Sequence, residues 1–387
     1  MGSEALEELA RVARDHRGYV AHWRAEHPEA LVLGVMPMNY PRELAHAAGV
    51  LPVIVPDDRE PVTEGRGLIP EFYCGYTRNL ADQAATGRLK QYDAILLADH
   101  CIQLLGATDV GRVLEPERTV FLGMLATSLS DAWAGRKVME TLEQHRHEIE
   151  RITGRPVAED ALRASIRAFN ADRALLRRIL DDRAAGSTAF SPVELIDLVA
   201  SAQVMDPLDH LPLLRQVVDE RSAGSHERDD RVRVHLSGHL CHAPRRELLE
   251  AIEESGALVV DDDLYTGRRY AQTDVDESLP PMEALGHWYA QRNVNLPCPT
   301  RVQQEVDWDG WMLQAIEGSG AEVVIHLMPK FCEPHMLYYP ELRKALDAAG
   351  IPQLLIETEH EGIPLESFRT RVEALVERAL RKRPAYA

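Results

Sequence analysis

Residues 30–56 have the sequence ALVLGVMPMNYPRELAHAAGVLPVIVP, and this stretch decides the fold. Its two apolar runs, 30–36 and 50–56, have the length and the nearly continuous apolar character of strands that are buried on both faces. The segment between them, 41–49, predicts a short helix that Pro41 begins and Gly49 ends. A strand, a helix and a second strand in this order indicate neighbouring parallel strands covered by a helix.

The same alternation recurs in both halves of the chain. Two further strands are predicted in the first half and four in the second, and helices separate most of them. The predicted strands are DAILLAD (93–99), TVFLGM (119–124), VRVHLSG (232–238), ALVVDDD (257–263), EVVIHLM (322–328) and PQLLIET (352–358). The predicted helices are 76–87, 243–256, 307–320, 339–350 and 367–383.

The middle of the chain lacks this alternation. From about 128 to 225 it predicts helices and no strand, and the polar stretch RSAGSHERDDR (221–231) indicates a linker or an exposed loop. We therefore expect an α/β protein with two doubly wound parallel-sheet domains of the Rossmann or flavodoxin-like type. Their expected bounds are 1–127 and 231–387, and the intervening helical segment is 128–230.

Composition narrows the class of protein. The 387 residues carry a formal net charge of −19, which disfavours binding to a nucleic-acid backbone. No apolar run approaches the roughly 18 residues of a membrane span, and the N-terminal MGSEALEELARVARDH lacks the features of a signal peptide. We expect a cytoplasmic protein, in which five cysteines indicate metal binding, catalysis or burial rather than disulfides.

Several cysteines follow predicted strands closely. Cys101, Cys241 and Cys332 come two to four positions after strands, and Cys74 lies where the chain turns into a helix. In open parallel sheets ligands bind beyond the carboxyl ends of the strands, and converging thiolates suit iron–sulfur or zinc centres. Simple packing remains the alternative, because there is no CxxC and isolated cysteines are commonly buried. Cys298 lies apart, in the proline-rich NLPCPT.

The remaining sequence motifs give weaker indications of function. The chain has no GxGxxG, no GxxxxGK[ST] and no GxSxG, so the usual signatures of nucleotide binding and of serine hydrolases are missing. His235, His239 and His242 are spaced four and three apart, as in some zinc sites on helices. Because this stretch predicts a strand, a polar loop rim is the stronger interpretation.

Seven segments together resemble one family, the cluster-bearing subunits of 2-hydroxyacyl-CoA dehydratases and benzoyl-CoA reductases. The resemblance spans roughly residues 30–360, and the smaller cluster subunit of the ATP-dependent benzoyl-CoA reductase is the most similar type. The segments are MPMNYPRELAHAAGVLPVIVP (36–56), YCGYTRNL (73–80), DAILLADHC (93–101), LSGHL (236–240), VVDDDLYTGRRY (259–270), KFCEPHMLYYPEL (330–342) and GIPQLLIETE (350–359).

The resemblance implies a [4Fe–4S] cluster held by Cys74, Cys101 and Cys332, with the fourth iron open to water, hydroxide or substrate. It makes Cys241 and Cys298 non-ligands. Some relatives carry a further cysteine where Asn39 and Tyr40 stand here, so a larger double-cubane cluster is not expected. Many relatives carry Cys-Asp in the stretch that reads His100-Cys101-Ile102-Gln103 here. This departure from the family leaves the substrate class open.

The resemblance also implies the reaction. Such enzymes work anaerobically: a separate ATP-hydrolysing iron–sulfur activator supplies one electron, and a ketyl radical forms on an acyl-CoA substrate. The outcome is ring reduction by an oxidoreductase or dehydration by a hydro-lyase, in a heterodimer with a homologous cluster-bearing subunit. The alternatives are a non-catalytic electron-relay or supporting subunit, and a zinc or thiol enzyme on the same α/β frame.

Five further residues are candidates for roles in this chemistry. His46 and Glu333 are candidate proton donors, with His335 as an alternative to Glu333 beside Cys332, and residues 37–46 are expected to line the cluster and thioester site. The alternatives to proton donation are structural: His46 could be a core residue, and Glu333 could be a charge that stabilises a helix N-terminus. Arg268 and Arg269 could bind CoA phosphates, or could instead balance the carboxylates of 261–263.

Overall fold

The computed structural model describes residues 4–36, 40–98, 101–221, 229–238 and 241–383. Within these ranges it contains eight strands and fifteen α-helices. The strands are β1 Val32–Val35, β2 Leu51–Ile54, β3 Ala94–Ala98, β4 Thr119–Gly123, β5 Val232–Ser237, β6 Ala257–Asp262, β7 Val323–Pro329 and β8 Gln353–Thr358. The helices are α1 Glu4–Arg14, α2 His16–Glu26, α3 Arg42–His46, α4 Gly75–Ala85, α5 Ile102–Leu114, α6 Ala134–Thr153, α7 Glu159–Ala184, α8 Pro192–Ala202, α9 Pro207–Arg221, α10 Arg246–Glu254, α11 Arg268–Ala271, α12 Pro281–Asn295, α13 Trp308–Ser319, α14 Glu333–Ala348 and α15 Leu365–Leu380.

The strands form two parallel four-stranded sheets with the same topology. The first sheet has the order β2-β1-β3-β4 and the second has the order β6-β5-β7-β8. In each sheet the first strand along the chain therefore lies between the second and the third. Helices cover the sheets, and the strands β1, β2, β3, β6 and β7 are buried along their whole length. The expected fold, two doubly wound parallel-sheet units, is confirmed.

All eight predicted strands are present, but several helices differ from expectation. The patterns missed α1, α2, α5 and α12. Helix α14 begins at Glu333, six residues before the predicted start at 339, and Pro334 stands in its first turn. Proline suits a first turn because its missing N–H needs no partner there, whereas Pro340 inside the same helix suggested a later start. Most of the predicted linker 221–231 lies outside the described residues.

The middle helices pack against helices that precede and follow them in the chain. Helix α1 lies against α8 and α9, and α12 lies against α6. The guanidinium of Arg42 on α3 donates hydrogen bonds to the carbonyl oxygens of Pro52, Ala202 and Met205, which joins the first sheet to α8 and the loop after it. The three-part division of the chain at 127 and 230 stays a prediction. None of the helices in the described ranges is long and apolar enough to cross a membrane.

Candidate metal centre

Three cysteines occupy equivalent positions, each as the N-cap residue immediately before a helix. Cys74 precedes α4, Cys101 precedes α5 and Cys332 precedes α14. The backbone N–H groups and the dipole at a helix N-terminus stabilise negative charge on a sulfur placed there, a local effect that opposes the cost of burying a thiolate.

The three N-cap cysteines line one cavity of about 480 Å³, part of which is open to solvent. Strand β3 leads to Cys101 and strand β7 leads to Cys332, so the cavity opens where the two sheets present their carboxyl ends. A fourth cysteine, Cys241, lies in the same wall. The other lining residues are Tyr76, Ile102, Gln103, His242, Thr300, Pro329, Glu333 and Pro334.

Gln103 connects the cysteine-bearing segments of the two halves. The backbone N–H of Cys74 donates to Oε1 of Gln103 at 2.7 Å, and Nε2 of Gln103 donates to the carbonyl oxygen of Phe331 at 2.7 Å. Phe331 adopts a left-handed backbone conformation with φ of 66°, which costs a non-glycine residue roughly 1–2 kcal/mol. The hydrogen bond from Gln103 therefore holds the strained residue that directly precedes Cys332.

The cavity disfavours free thiolates in the absence of a positive partner. Burial raises the pKa of Cys74, and hydrogen bonding from Thr77 opposes that rise. Burial also raises the pKa of Cys332, as do the neighbouring thiols, and it raises the pKa of Cys241 well above its usual value. Coordination to a metal deprotonates a thiol outright, so these groups suit a cationic metal centre.

The cavity wall supplies thiols, the donors that both iron–sulfur and zinc centres use. Nowhere in the described ranges do three or more His, Cys, Asp or Glu side chains lie close enough together to hold one metal ion. The thiolates of a [4Fe–4S] cubane bind different iron atoms and stand farther apart than the ligands of one zinc ion. The three N-cap cysteines, which share the wall with Cys241, His242 and Glu333, would supply the three thiolates that the implied cluster takes.

The alternative zinc site at three histidines gains no support. His235 is buried in β5, where its Nδ1 lies 3.4 Å from Oδ2 of Asp261. His242 instead lies in the wall of the cysteine cavity. His239 lies outside the described residues. The helical spacing that motivated this site does not apply, because His235 belongs to a strand.

The two candidate proton donors lie in different places. Glu333 is the first residue of α14 and lines the cysteine cavity. His46 is not among the lining residues: its Nδ1 hydrogen-bonds Oγ of Ser165 at 2.9 Å, and its Nε2 lies 3.3 Å from Oδ1 of Asp206. Of the predicted lining segment 37–46, residues 37–39 lie outside the described part, and Tyr40 is buried against His145.

Arg268 and Arg269 do not form a paired clamp. Arg268 donates to Asp261 at 2.6 Å and to Asp181 at 2.7 Å, so its charge is balanced by carboxylates. Arg269 is buried and donates to the carbonyl oxygens of Asp263, Leu296 and Pro297. The two side chains diverge because they are successive residues at the start of α11 and extend in different directions from it.

The strand-end rule pointed to Cys241, which the family resemblance then made a non-ligand, whereas no sequence pattern pointed to Gln103. The position of Cys241 after β5 was a usable signal, since it matches the strand-end rule that also applies to Cys101 and Cys332. Gln103 offered no comparable signal. It is an ordinary polar residue in the first turn of a helix, and only the approach of the loop at Phe331 makes it a link between the two halves.

The fold and the cavity define a parallel α/β chain with two sheets and a thiol-lined crevice at its strand ends. The chain belongs to the family described as 2-hydroxyglutaryl-CoA dehydratase, D-component, which matches residues 37–378. The family expected from the sequence is confirmed.

Similar proteins include a subunit of the benzoyl-CoA reductase of Thauera aromatica, which is 25% identical over 349 residues and 90% of each chain. The (R)-phenyllactyl-CoA dehydratase beta subunit of Clostridium sporogenes is 25% identical over 89% of this chain and 91% of its own. The lactoyl-CoA dehydratase beta subunit of Anaerotignum propionicum is 25% identical over 96% of this chain and 98% of its own. These relatives are subunits of oxidoreductases or hydro-lyases, and this chain is an enzyme subunit of the same kind.

Proposed function

We propose that this chain is the [4Fe–4S] subunit of an acyl-CoA reductase or dehydratase that depends on an ATP-hydrolysing activator. Cys74, Cys101 and Cys332 would hold the cluster. The observation that carries this proposal is the placement of all three as N-cap residues on one cavity at the ends of β3 and β7. Family membership supplies the class of chemistry.

The bound cluster would supply an electron at low potential and an iron with an open coordination position, and transfer of that electron to a thioester carbonyl yields a ketyl radical anion. The residues of this chain prepare the site. The N-termini of α4, α5 and α14 stabilise negative charge at the three sulfurs. Tyr76, Pro329 and Pro334 form apolar parts of the wall that exclude water.

Glu333 is the preferred proton donor because it lies in the cavity wall, beside a ligand position. His46 is the second candidate, and the hydrogen bonds of its ring to Ser165 and Asp206 argue for a structural role. For the phosphates of CoA, Arg269 is preferred over Arg268, whose charge is balanced by Asp261 and Asp181.

An apolar rim around the cavity supports a permanent partner. Phe72, Ile102, Met336 and Leu337 expose between 44% and 80% of their surface, and they lie within a few residues of the three N-cap cysteines. Exposed apolar groups concentrated around a functional cavity indicate a protein interface. We infer a cytoplasmic heterodimer with a homologous cluster-bearing subunit and an interface of roughly 2,000 Å² or more.

One observation favours the alternative of an electron-relay subunit. Cys241 shares the cavity with the three proposed ligands. A fourth thiolate would close the open iron position and leave a cluster that transfers electrons without binding substrate. The two functions therefore differ in whether acyl-CoA perturbs the cluster of this subunit.

The test is anaerobic purification with the co-expressed partner, followed by iron and sulfide analysis and electron paramagnetic resonance of the reduced protein. Turnover with the activator across a panel of acyl-CoAs identifies the reaction. Iron and sulfide near four atoms each per chain support the cluster. Zinc or no metal in active protein would overturn it. A signal that acyl-CoA changes supports the catalytic subunit, and an unchanged signal supports the relay.

A further inference from the structure

A second cavity, distinct from the cysteine cavity, is lined by three arginines. Its empty space is about 360 Å³, part of which is open to solvent. Arg269 comes from α11, Arg292 from α12 and Arg301 from the loop after α12. The described lining residues include no Asp or Glu. We call this cavity, defined by Arg269, Arg292 and Arg301, the arginine pocket.

Arg269 is held rigidly and is incompletely satisfied. Only 6% of its surface is exposed, and its Nε and Nη1 donate to three backbone carbonyl oxygens at 2.7–3.1 Å. Within the described part of the chain, its Nη2 is buried without a hydrogen-bond partner. Burying a charged N–H group without a hydrogen-bond acceptor costs free energy. We therefore expect a bound ligand to supply an acceptor beside Nη2.

The other two guanidiniums lie against aromatic rings. Arg292 stands 4.6 Å from the ring centroid of Trp288, and Arg301 stands 5.5 Å from that of Tyr289. Nη1 of Arg301 also donates to the carbonyl oxygen of Thr300 at 2.8 Å. Burial lowers the pKa of Arg292, and the positive charge of Arg269 lowers it further. Three positive charges around one small cavity create a local positive potential, which favours the binding of an anion there.

We propose that the arginine pocket binds an oxyanion of the phosphate type. Guanidinium groups bind phosphate through two parallel N–H···O bonds, and the three arginines converge on one space from three segments. The pocket is too small for a whole nucleotide cofactor, so it accepts free phosphate or a single phosphate group of a larger ligand such as CoA. Because the chain as a whole carries a net charge of −19, most of its surface repels anions, and this local concentration of positive charge is a place that attracts them.

Occupation of the arginine pocket would act on the cysteine cavity next to it. Cys298 lines the arginine pocket, and Thr300, two residues later, lines the cysteine cavity. An oxyanion that binds Arg301 would order the short stretch between these residues, which separates the two cavities. The binding itself does not depend on the proposed function, because all three arginines belong to this chain and lie outside the cysteine set.

The test measures binding of inorganic phosphate to the anaerobically purified complex by calorimetry and by the shift in Tm, with ionic strength held constant by chloride. Wild type should bind saturably. Arg292→Gln should weaken binding by roughly tenfold or more. Arg136→Gln, which removes the same charge from an exposed site on α6, should leave it unchanged. No binding to wild type, or equal binding to all three proteins, would overturn the proposal.

A second variant covers the case in which Arg292→Gln fails to fold. Arg301→Lys keeps the positive charge but removes the planar fork, so it should also weaken phosphate binding. Unchanged affinity in a folded Arg301→Lys protein would count against the pocket. Circular dichroism checks folding, and iron content on the same samples separates loss of the cluster from loss of the anion.

Competition then identifies the source of the phosphate group. If CoA displaces inorganic phosphate and dephospho-CoA or pantetheine does so less well, the arginine pocket receives a phosphate of CoA. If none of the three displaces phosphate, the pocket receives the free ion. Displacement that is equally strong with pantetheine, which has no phosphate, would contradict recognition of an oxyanion at this place.

Discussion

Gly75 lies so close to His360 that a β-carbon on Gly75 would stand 2.7 Å from the Cβ of His360 and 2.9 Å from its backbone nitrogen. Gly75 directly follows Cys74, and His360 lies in the loop after β8. The absence of a side chain therefore lets the first cysteine segment meet the second sheet unit. Because one of the opposing atoms is backbone, a larger residue cannot be accommodated by a simple rotamer change.

Replacing Gly75 by alanine should separate these segments. Overpacking of this kind costs about 1–3 kcal/mol, and Cys74 should move away from the other cysteines, so we expect a lower free energy of unfolding and reduced iron content. Gly318 in α13 is the matched control, since a β-carbon there meets nothing within 4 Å. Gly318→Ala should be neutral or stabilising by up to about 1 kcal/mol. Equal stability and iron content in both variants would show that the close contact between Gly75 and His360 does not matter.

The cysteines should divide into two groups. Cys74→Ser, Cys101→Ser and Cys332→Ser should each lose the brown colour and most of the iron, because each removes a thiolate at a helix N-terminus. Cys241→Ser and Cys298→Ser should keep both. Full iron in any of the first three variants would remove that residue from the ligand set.

Loss of iron in Cys241→Ser would indicate a fourth ligand to the cluster. Cys241 lies in the cavity wall but is not a helix N-cap residue, since α10 begins after Arg245. If its removal changes the resonance signal or the iron content, Cys241 is a fourth ligand and the relay function is favoured. Iron analysis and paramagnetic resonance of the five single variants decide between these outcomes.

Gln103 should position the cluster without binding it. In Gln103→Ala the backbone N–H of Cys74 and the carbonyl of Phe331 lose their partner, which costs about 1–3 kcal/mol for a buried group left unsatisfied. We expect lower stability, and a shifted reduction potential in whatever cluster remains. Gln216→Ala, on the exposed face of α9, should change neither. A potential identical to wild type would contradict a positioning role.

Turnover should distinguish the two candidate proton donors. Glu333→Gln should keep iron and folding and lower turnover by roughly a hundredfold or more, as expected for loss of a general acid. His46→Gln should lower stability and leave turnover within a few-fold, because its ring binds Ser165 and Asp206 outside the cavity. The opposite pattern, measured with saturating activator, would assign the proton to His46.

The buried pair of His235 and Asp261 should make stability depend on pH. Burial lowers the pKa of His235, but the carboxylate of Asp261 outweighs it, so the pKa is raised above 6.5. A group whose pKa is raised by folding contributes stability below its unfolded pKa and loses it as pH rises through the folded value. The free energy of unfolding should therefore fall as pH rises above about 6.5. His235→Gln should flatten this slope in denaturant titrations, and an unaltered slope would exclude the pair as its source.

Much of the architecture followed from local patterns. Continuous apolar runs such as 30–36 and 322–328 are typical of strands buried on both faces, and their alternation with helices indicated parallel sheets. The strand-end rule also selected Cys101, Cys241 and Cys332, all of which line the cysteine cavity. Local patterns failed at α14, where Pro340 suggested a late start while Pro334 permitted an early one.

The sequence by itself therefore determined the secondary structure of both sheets, the family and the set of cysteines worth testing, because these depend on short-range periodicity and recognisable segments. The tertiary structure alone decided which side chains share a cavity. Gln103 and Phe331 are 228 residues apart, and Arg269 and Arg301 come from different elements. Such contacts arise from how the two sheet units pack, and no local pattern records the distance between segments that are far apart along the chain.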